Sequence, residues 1–351
     1  MTAIAPLLLL ATLTVAPPPE KKKLRVGHFP NLTHAQGVIG HGLSRAGRSV
    51  ERSETGDRGW FEERLGPDVE IEWYVYNAGP TAMEAMLAGS IELTYVGPNP
   101  ALNAYIRSEG DEIRIVAGAA SGGAALVVQP DGRIQKDADF KGRRVGTPQL
   151  GNTQDVAARA FLKGKGFKIT QTGGDALVLP TANPDQLTLF QKGDLDAVWT
   201  VEPWVTRLEL EAGGKVYLEE KSLWTETHGR YVTTHLVSSV EFLAEEPELA
   251  RKFVAAHVEL TDWINQNPIE AKQLLNAEIA AETSKGIAAE VLERAWSRIE
   301  VTHDPVSASL RRSAKDAHAA GFLERDPDLS RIYALEILNS VLARKGRPGV
   351  L

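Results

Sequence analysis

The sequence predicts an α/β protein with two lobes, each built on an open, mainly parallel sheet flanked by helices. Three observations support this prediction. Strand-like and helix-like segments alternate through residues 24–212, an internal repeat runs through them, and the chain beyond residue 247 reads almost entirely as helix. A chain of 351 residues, 43% hydrophobic and 24% charged, is long enough for two domains.

The repeat consists of "AGPTAMEAMLAGSIELTYVGP" (78–98) and "ANPDQLTLFQKGDLDAVWTVEP" (182–203), whose matching positions lie 104 residues apart. In each copy a Pro suits the first helical turn, a short amphipathic helix follows, a Gly ends it and an apolar strand comes next. A further pair, "LRVGHFPNLTHAQG" (24–37) and "RRVGTPQLGNTQD" (143–155), lies 119 residues apart. The first copy therefore carries about fifteen extra residues (119 minus 104), or the second copy lacks them; the candidate is a solvent-exposed loop inserted at 44–59.

The elements follow in order from the apolar periodicity and its Gly and Pro boundaries. The first half predicts strands at 24–28, 69–76, 91–96, 113–118 and 124–129, with helices after residue 28 and at 80–88 and 99–108. The second half predicts strands at 143–147, 176–179 and 195–200, with helices at 152–164, 184–192 and 203–212. A last strand is expected at 231–239. The C-terminal helices should pack on the first lobe, because the second sheet already has helices of its own.

Composition excludes several function classes. The net charge of −7 argues against nucleic acid as a partner, since phosphate-backbone binding normally needs a basic face. The absence of Cys excludes disulfides, Cys-based zinc sites, a thiol nucleophile and a lipid-modified Cys. The apolar run Thr2–Ala16 is too short to span a bilayer and is typical of a secretory signal, so residues 1–23 are expected to be a leader for export. An uncleaved membrane anchor is the alternative.

The candidate ligand site lies beyond the carboxyl ends of the strands, where open α/β sheets bind their ligands. The residues there are mostly neutral donors, prolines, glycines and aromatics at helix starts, and helix N-termini can hold an anion without any Lys or Arg. The segments are "HFPNLTH" (28–34), "NAGP" (77–80), "VGPN" (96–99), "SGG" (121–123), "TPQLGNTQD" (147–155), "PTANP" (180–184) and "TVEPW" (200–204).

Enzyme and cofactor motifs are not matched. The segment "GTPQLGNT" (146–153) lacks the Lys of a nucleotide P-loop, and "GVIGHG" (37–42) has the wrong glycine spacing for a dinucleotide fingerprint. Of His28, His34 and His41, only the last two would share a helix face, and no neighbouring carboxylate stands at metal-ligand spacing. We therefore expect no metal, no cofactor and no catalytic residues.

Taken in order, the segments "LRVGHFPN", "NAGPTAMEAMLAGSIELTYVGPNPALNAY", "DFKGRRVGTPQLGNTQDVAAR" and "LPTANPDQLTLFQKGDLDAVWTVEPW" resemble the periplasmic solute-binding proteins of ABC importers for nitrate, aliphatic sulfonates and taurine. The resemblance covers about residues 24–265. It implies a type II, Venus-flytrap fold with a ligand cleft and crossovers near 129–133 and 218–224. The expected layout is lobe 1 at 24–129, lobe 2 at 130–221, and completion of lobe 1 with C-terminal helices at 222–351.

The same resemblance implies a periplasmic monomer that binds a small anionic or zwitterionic solute and delivers it to an ABC permease with its ATPase subunit. The alternative is a same-fold enzyme or binding protein of pyrimidine (thiamine-precursor) metabolism. The poor match of the leader and the insertion at 44–59 depart from the family pattern.

Residues carried over from the resemblance as ligand-binding are His28, Pro30, Asn31, Asn77, Gly79, Pro80, Gly97, Pro98, Asn99, Gln149, Gly151, Asn152, Thr153, Glu202 and Trp204. Several have a simpler explanation, because Asn152 or Thr153 can be an N-cap and Pro80 a helix starter. Glu202 in the cleft would favour a ligand with a cationic part, and Trp204 would offer a stacking wall. The alternative for Glu202 is an ion pair with Arg207 or another base at the lobe surface.

Overall fold

The computed structural model describes residues 21–50, 58–324 and 327–351, and in them the chain forms two sheets. The strands of the first sheet are β1 (Lys22–His28), β2 (Val69–Val75), β3 (Leu93–Val96), β4 (Ile113–Gly122), β10 (Val232–Ser239) and β11 (Ile299–Val301), in the order β11-β4-β10-β3-β1-β2. Those of the second are β5 (Ala124–Val128), β6 (Arg144–Thr147), β7 (Leu177–Pro180), β8 (Ala197–Val201) and β9 (Lys215–Glu219), in the order β7-β6-β8-β5-β9.

The internal repeat reappears as the same strand arrangement in both sheets. In each, a central strand pairs in parallel with two neighbours: β1 lies between β2 and β3, and β6 lies between β7 and β8. The fourth strand is antiparallel in both, β10 beside β3 and β5 beside β8. The two-sheet α/β fold is confirmed, and the repeated segments 78–98 and 182–203 occupy equivalent places in it.

The fourth strand of each sheet is exchanged between the two halves of the chain. The sequence analysis placed residues 124–129 in the first lobe, but β5 lies in the second sheet, so that assignment is wrong. The first crossover is therefore at Gly122 and Gly123, both at positive φ (82° and 81°), and not near 129–133. An apolar run shows that a segment is a strand, but it does not show which sheet the strand joins. The return crossover lies between β9 and β10.

The helices of the first half are α1 (Ala35–Arg45), α2 (Trp60–Leu65), α3 (Gly79–Leu87) and α4 (Pro98–Arg107). Those of the second are α5 (Thr153–Gly164), α6 (Asn183–Gln191) and α7 (Trp204–Ala212). Pro stands in the first turn of α3, α4 and α6, as the repeat predicts. The expected loop at 44–59 begins later than predicted, because α1 extends to Arg45, and its residues 51–57 lie outside the described residues.

The C-terminal part forms α8 (Val240–Glu245), α9 (Pro247–Gln266), α10 (Pro268–Thr283), α11 (Ala289–Trp296), α12 (Ser307–Ala320) and α13 (Leu335–Arg344). Helices α9, α10 and α13 cover the core of the first lobe, where the Phe61 and Phe253 rings stack 4.5 Å apart. Two helices differ from this expectation because they also contact helices of the second lobe. Helix α12 packs against both α4 and α5, and α11 packs against α7. The short strands β9 and β11 were not predicted. No helix in the described ranges has the length and apolar character needed to cross a membrane.

Candidate functional site: a neutral cleft between the lobes

The carboxyl ends of the parallel strands in the two sheets face each other across a cleft. The cleft encloses a small cavity of ≈ 30 Å³. Its lining comes from both lobes and consists of Phe29, Asn31, Thr33, His34, Asn77, Gly97, Pro148, Asn152, Thr153, Gln154, Asn183, Val201 and Thr233. Helices α4, α5 and α6 begin at or next to these residues, so positive helix ends from both lobes converge here.

The two lobes touch at the rim of this cavity. A Cβ built on Gly97, in the first lobe, would lie only 2.5 Å from Thr153 Oγ1 in the second. Gly97 has φ −68° and ψ 160°, a conformation open to any residue, so the backbone itself does not require glycine here. Glycine at position 97 is instead explained by the close approach of the second lobe, and the cleft is closed in the sense that the two lobes are in contact at Gly97 and Thr153.

The chemistry of the lining is polar but uncharged. Of the described residues that line the cavity, none is Lys, Arg, Asp or Glu, and four are Asn. His34 is neutral, because burial and the neighbouring His28 lower its pKa well below the usual value, outweighing the effect of Glu282. Amide, hydroxyl and backbone N–H groups are therefore the donors that face the cavity, and these can hold a small anion without a counter-charge.

Two atoms of the lining are buried without a hydrogen-bond partner in the described part of the chain: His34 Nδ1 and Thr153 Oγ1. Gln149 Oε1, next to the lining residue Pro148, is in the same state. An unpaired buried polar atom costs about 1–3 kcal/mol, so such atoms are normally paired with water or a ligand. These three atoms therefore stand in or beside the cavity as unpaired polar groups.

The segment "GTPQLGNTQD" (146–155) is held rigidly from within its own lobe. The buried carboxylate of Asp155 accepts hydrogen bonds from Thr147 Oγ1 (2.8 Å), Gly151 N (3.0 Å) and Arg159 Nε (3.0 Å). Gly151 has φ +74°, which favours glycine in this turn. Asn152 is the N-cap of α5, and its Oδ1 accepts from Thr153 N (2.6 Å). Asp155 therefore fixes the turn that presents Asn152 and Thr153 to the cavity.

The structure brings five of the predicted site residues to the cavity: Asn31, Asn77, Gly97, Asn152 and Thr153. Gln149 and Gly151 belong to the turn that supports them. The remaining ones point elsewhere.

The predicted residues of α3 and α4 pack within the first lobe or at its surface. Asn99 Nδ2 donates to the Ser313 carbonyl (3.3 Å), which ties α4 to α12. Gly79 lies against Pro100, and Pro80 lines a separate surface cavity. Pro30 and Pro98 are neighbours of lining residues but do not line the cavity.

Glu202 and Trp204 also lie off the cavity. Glu202 is fully buried and pairs with Arg298, whose Nη1 is 2.9 Å from Oε1, so it is ion-paired as the alternative proposed, but with Arg298 in place of Arg207 and not at the lobe surface. It also accepts from Thr206 N (3.0 Å) and Oγ1 (2.8 Å) at the start of α7. Arg207 instead pairs with Glu211 and covers the Trp204 ring at 4.5 Å. Nothing in this geometry supports a cationic group on the ligand.

His28 points to the opposite side of its strand, away from the cleft. It contacts His41 and Glu282, a carboxylate that α10 supplies from far along the chain. The sequence analysis rejected a metal site because no carboxylate neighbours these histidines along the chain, and the structure brings Glu282 to them from 241 positions away.

Several lining residues were not singled out from the sequence. Phe29, Thr33, His34, Pro148, Gln154, Asn183 and Val201 lie within the quoted strand-end segments, so the signal located the loops without ranking their members. Thr233 is different, because it stands at the start of β10 and reaches the cleft only through the antiparallel pairing of that strand with β3 and β4. No local pattern marks it.

Residues 17–281 match the sequence profile of the NMT1-like family. The chain belongs to the NMT1-like family. A Brucella abortus (strain 2308) protein named as a binding protein is 26% identical over 239 residues, which is 66% of this chain and 70% of that protein.

Solved structures share the fold of this NMT1-like protein. The alkanesulfonate-binding protein of Xanthomonas axonopodis pv. citri, solved with MOPS bound, has a TM-score of 0.69 at 18% identity, covering 90% of this chain and 99% of its own. The periplasmic nitrate-binding protein of Synechocystis PCC 6803 has a TM-score of 0.70 at 13% identity, covering 93% and 89%. Each of these three proteins is named as a binding protein.

Proposed function

We propose that this NMT1-like protein is the periplasmic solute-binding component of an ABC importer and that it captures a small anion of the sulfonate or nitrate class between its lobes. The observation that carries the proposal is the uncharged cavity, lined by both lobes, on which the N-termini of α4, α5 and α6 converge. The sulfonate- and nitrate-binding proteins that share the fold support the same class of solute.

The charge distribution favours an anionic head group over a cationic one. Helix N-termini and amide N–H groups favour negative charge, and the described lining has no carboxylate that would repel it. Glu202, the one residue that argued for a zwitterion, has its charge matched by Arg298. A cavity of ≈ 30 Å³ has room for little more than one or two water molecules, so an organic tail would require a wider cleft than this closed form offers.

The binding step needs only lobe movement. The solute would meet one lobe, and Thr153 and Asn152 from α5 would complete its coordination as the second lobe closes against Gly97. The closed form would then dock on a permease, whose ATPase subunit drives import. No residue of the lining is required to react, so binding without turnover is expected.

A ligand panel tests the proposal on the purified chain by thermal shift and titration calorimetry. The panel is ethanesulfonate, taurine, nitrate, bicarbonate and a hydroxymethyl-aminopyrimidine. A tight anion should stabilise the fold by mass action, by about 2.7 kcal/mol at a concentration of 100 times Kd. Stabilisation by the pyrimidine alone would favour the thiamine-precursor alternative, and no stabilisation by any anion would contradict the proposal.

Matched variants locate the site. Thr153→Ala and His34→Ala remove the two unpaired polar atoms and should each weaken binding of the best ligand by roughly 10- to 150-fold, the value of a hydrogen bond to a charged group. Thr188→Ala, at an exposed position on α6, is the control and should bind like the wild type.

A further inference from the structure

Two histidines and a glutamate meet in the first lobe, behind the turn that lines the cleft. His28 is the last residue of β1, His41 lies on α1 and Glu282 lies in the last turn of α10. The His28 and Glu282 side chains are 0% and 2% exposed, and the His41 side chain is 16% exposed. Three separate elements therefore bring side chains of types that can bind metal to one largely buried position.

The three groups point single atoms at one another. His28 Nε2 is 3.0 Å from His41 Nδ1 and 3.1 Å from Glu282 Oε1, and His41 Nδ1 is 2.8 Å from the same oxygen. These atoms form a nearly equilateral triangle. Ligand atoms at about 2.0–2.1 Å from a tetrahedral zinc ion lie roughly 3.3 Å apart, so the triangle is close to one face of such a coordination sphere.

With the Glu282 carboxylate ionised, no placement of protons makes all three contacts hydrogen bonds. If both ring nitrogens carry hydrogen and donate to Glu282 Oε1, two N–H groups face each other at 3.0 Å and that contact is repulsive. If one nitrogen is unprotonated, its lone pair faces the carboxylate oxygen instead. A divalent cation removes the conflict, because it accepts one lone pair from each of the three atoms.

We propose that His28, His41 and Glu282 form a binding site for a divalent transition-metal ion, with Zn²⁺ as the preferred ion. Two imidazoles and one carboxylate are a usual zinc ligand set with the fourth position left to water. Glu278, whose Oε1 lies 3.3 Å from His41 Nδ1, stands at the edge of the site and is bound by Arg45 (2.6 Å). Arg45 offsets the Glu278 charge, and its Nη2 also lies 3.4 Å from His41 Nε2, the ring nitrogen that does not face Glu282, so Glu278 is not one of the three ligands.

The site would have a structural effect on the lobe. The ion would join α10 to β1 and α1, and so fix the residue from which the cleft-lining turn 29–34 begins. It also has a natural reporter, since the Trp73 ring stacks on His41 with centroids 5.6 Å apart and meets His28 edge-on at 5.7 Å. The proposal does not depend on the identity of the solute in the cleft.

The test is metal binding by the full chain, prepared without a histidine tag and stripped with EDTA. After dialysis against Zn²⁺, the wild type should retain about one equivalent per chain. Co²⁺ should give the intense visible absorption of a tetrahedral site. It should also quench tryptophan fluorescence, and this quenching should be lost in Trp73→Phe. Metal should raise Tm.

Variants separate this site from surface binding. Glu282→Gln and His41→Gln should each lower Zn²⁺ affinity by at least about 100-fold, since even loss of an outer-shell partner costs 10–100-fold. His318→Ala, an exposed histidine on α12, should bind like the wild type. Circular dichroism in EDTA should show the same folded state for all variants. Retention of metal by Glu282→Gln with unchanged affinity, or no stoichiometric Zn²⁺ in the wild type, would overturn the proposal.

Discussion

At the scale of single residues, the role of Glu202 could not be inferred from its residue type without knowing which residues it contacts. It follows the end of β8, where a carboxylate that binds the solute would be expected. Its side chain instead accepts a hydrogen bond from Thr206 N at the start of α7 and pairs with Arg298. Burial raises the Glu202 pKa despite these hydrogen bonds. Arg298 is further bound by Glu209 and approaches Glu219, so it joins the segment next to β11 to the second lobe.

We predict that Arg298→Met destabilises the protein by about 3–5 kcal/mol, because it leaves the buried Glu202 charge without its cation. The Glu202 pKa would rise further above 4.5 in the folded state. The folded variant would then bind the Glu202 proton more tightly than the unfolded chain does. The loss of stability caused by the substitution should therefore grow as pH rises from 4.5. Urea unfolding at pH 5 and pH 8 measures both effects.

Glu202→Gln is the companion test. Arg298 keeps Glu209, so the cost should be smaller than for Arg298→Met, and anion affinity should be unchanged because Glu202 does not line the cavity. A large change in anion affinity for Glu202→Gln would return this residue to the binding site.

At the scale of elements, the return crossover from β9 to β10 contains a buried acid. Glu220 begins a short 3₁₀ turn, and its Oε2 accepts from Trp199 Nε1 at 2.8 Å. Burial raises its pKa to about 7, although hydrogen bonds from Trp199 and Trp224 oppose the shift. Trp224 in turn stacks on Tyr231 at 5.4 Å, so the crossover is packed and not a loose linker.

This acid predicts a pH dependence of stability. Because the folded pKa of about 7 exceeds the usual 4.5, the folded state holds the proton more tightly. The contribution of Glu220 to stability is therefore complete below pH 4.5 and is lost as pH rises to about 7, with a slope of up to about 1.4 kcal/mol per pH unit. Urea unfolding from pH 4.5 to 8 should show this decline in the wild type and a flatter profile in Glu220→Gln. Equal slopes would show that Glu220 titrates normally.

Most elements were predictable because their signals are local. The caps and Pro starts of α3, α5 and α6 lie within a turn of the helices they define, and the predicted bounds of α5 and β10 differ from the structure by a single residue. The membership of β5 was not predictable, because it depends on pairing with β8, some seventy positions away.

At the scale of the whole molecule, the contact between Gly97 and Thr153 joins the lobes in the closed form. We predict that Gly97→Ala leaves each lobe intact but weakens solute binding, because the new methyl group meets Thr153 Oγ1 when the cleft closes. Overpacking costs about 1–3 kcal/mol, or roughly 5- to 150-fold in affinity. Calorimetric titration with the best anion measures the loss, and the Tm of the unliganded protein should change little.

A double variant checks the mechanism. In Gly97→Ala with Thr153→Ala, the hydroxyl that causes the clash is gone and Thr153 Cβ would be 3.6 Å from the new methyl group, an ordinary contact. The double variant should therefore bind no worse than Thr153→Ala alone. Additive losses would show that Gly97→Ala acts in some other way than by steric contact across the cleft.

The sequence by itself determined the α/β class, the duplicated half-sheet and the neutral, glycine- and amide-rich character of the strand-end loops. These depend on periodicity, caps and turn residues, which act over a few positions. Only the tertiary structure decided that Glu202 pairs with Arg298, 96 positions away, and that Glu282 reaches His41 across 241 positions. Such contacts depend on which surfaces the folded chain buries together, and no local pattern encodes that choice.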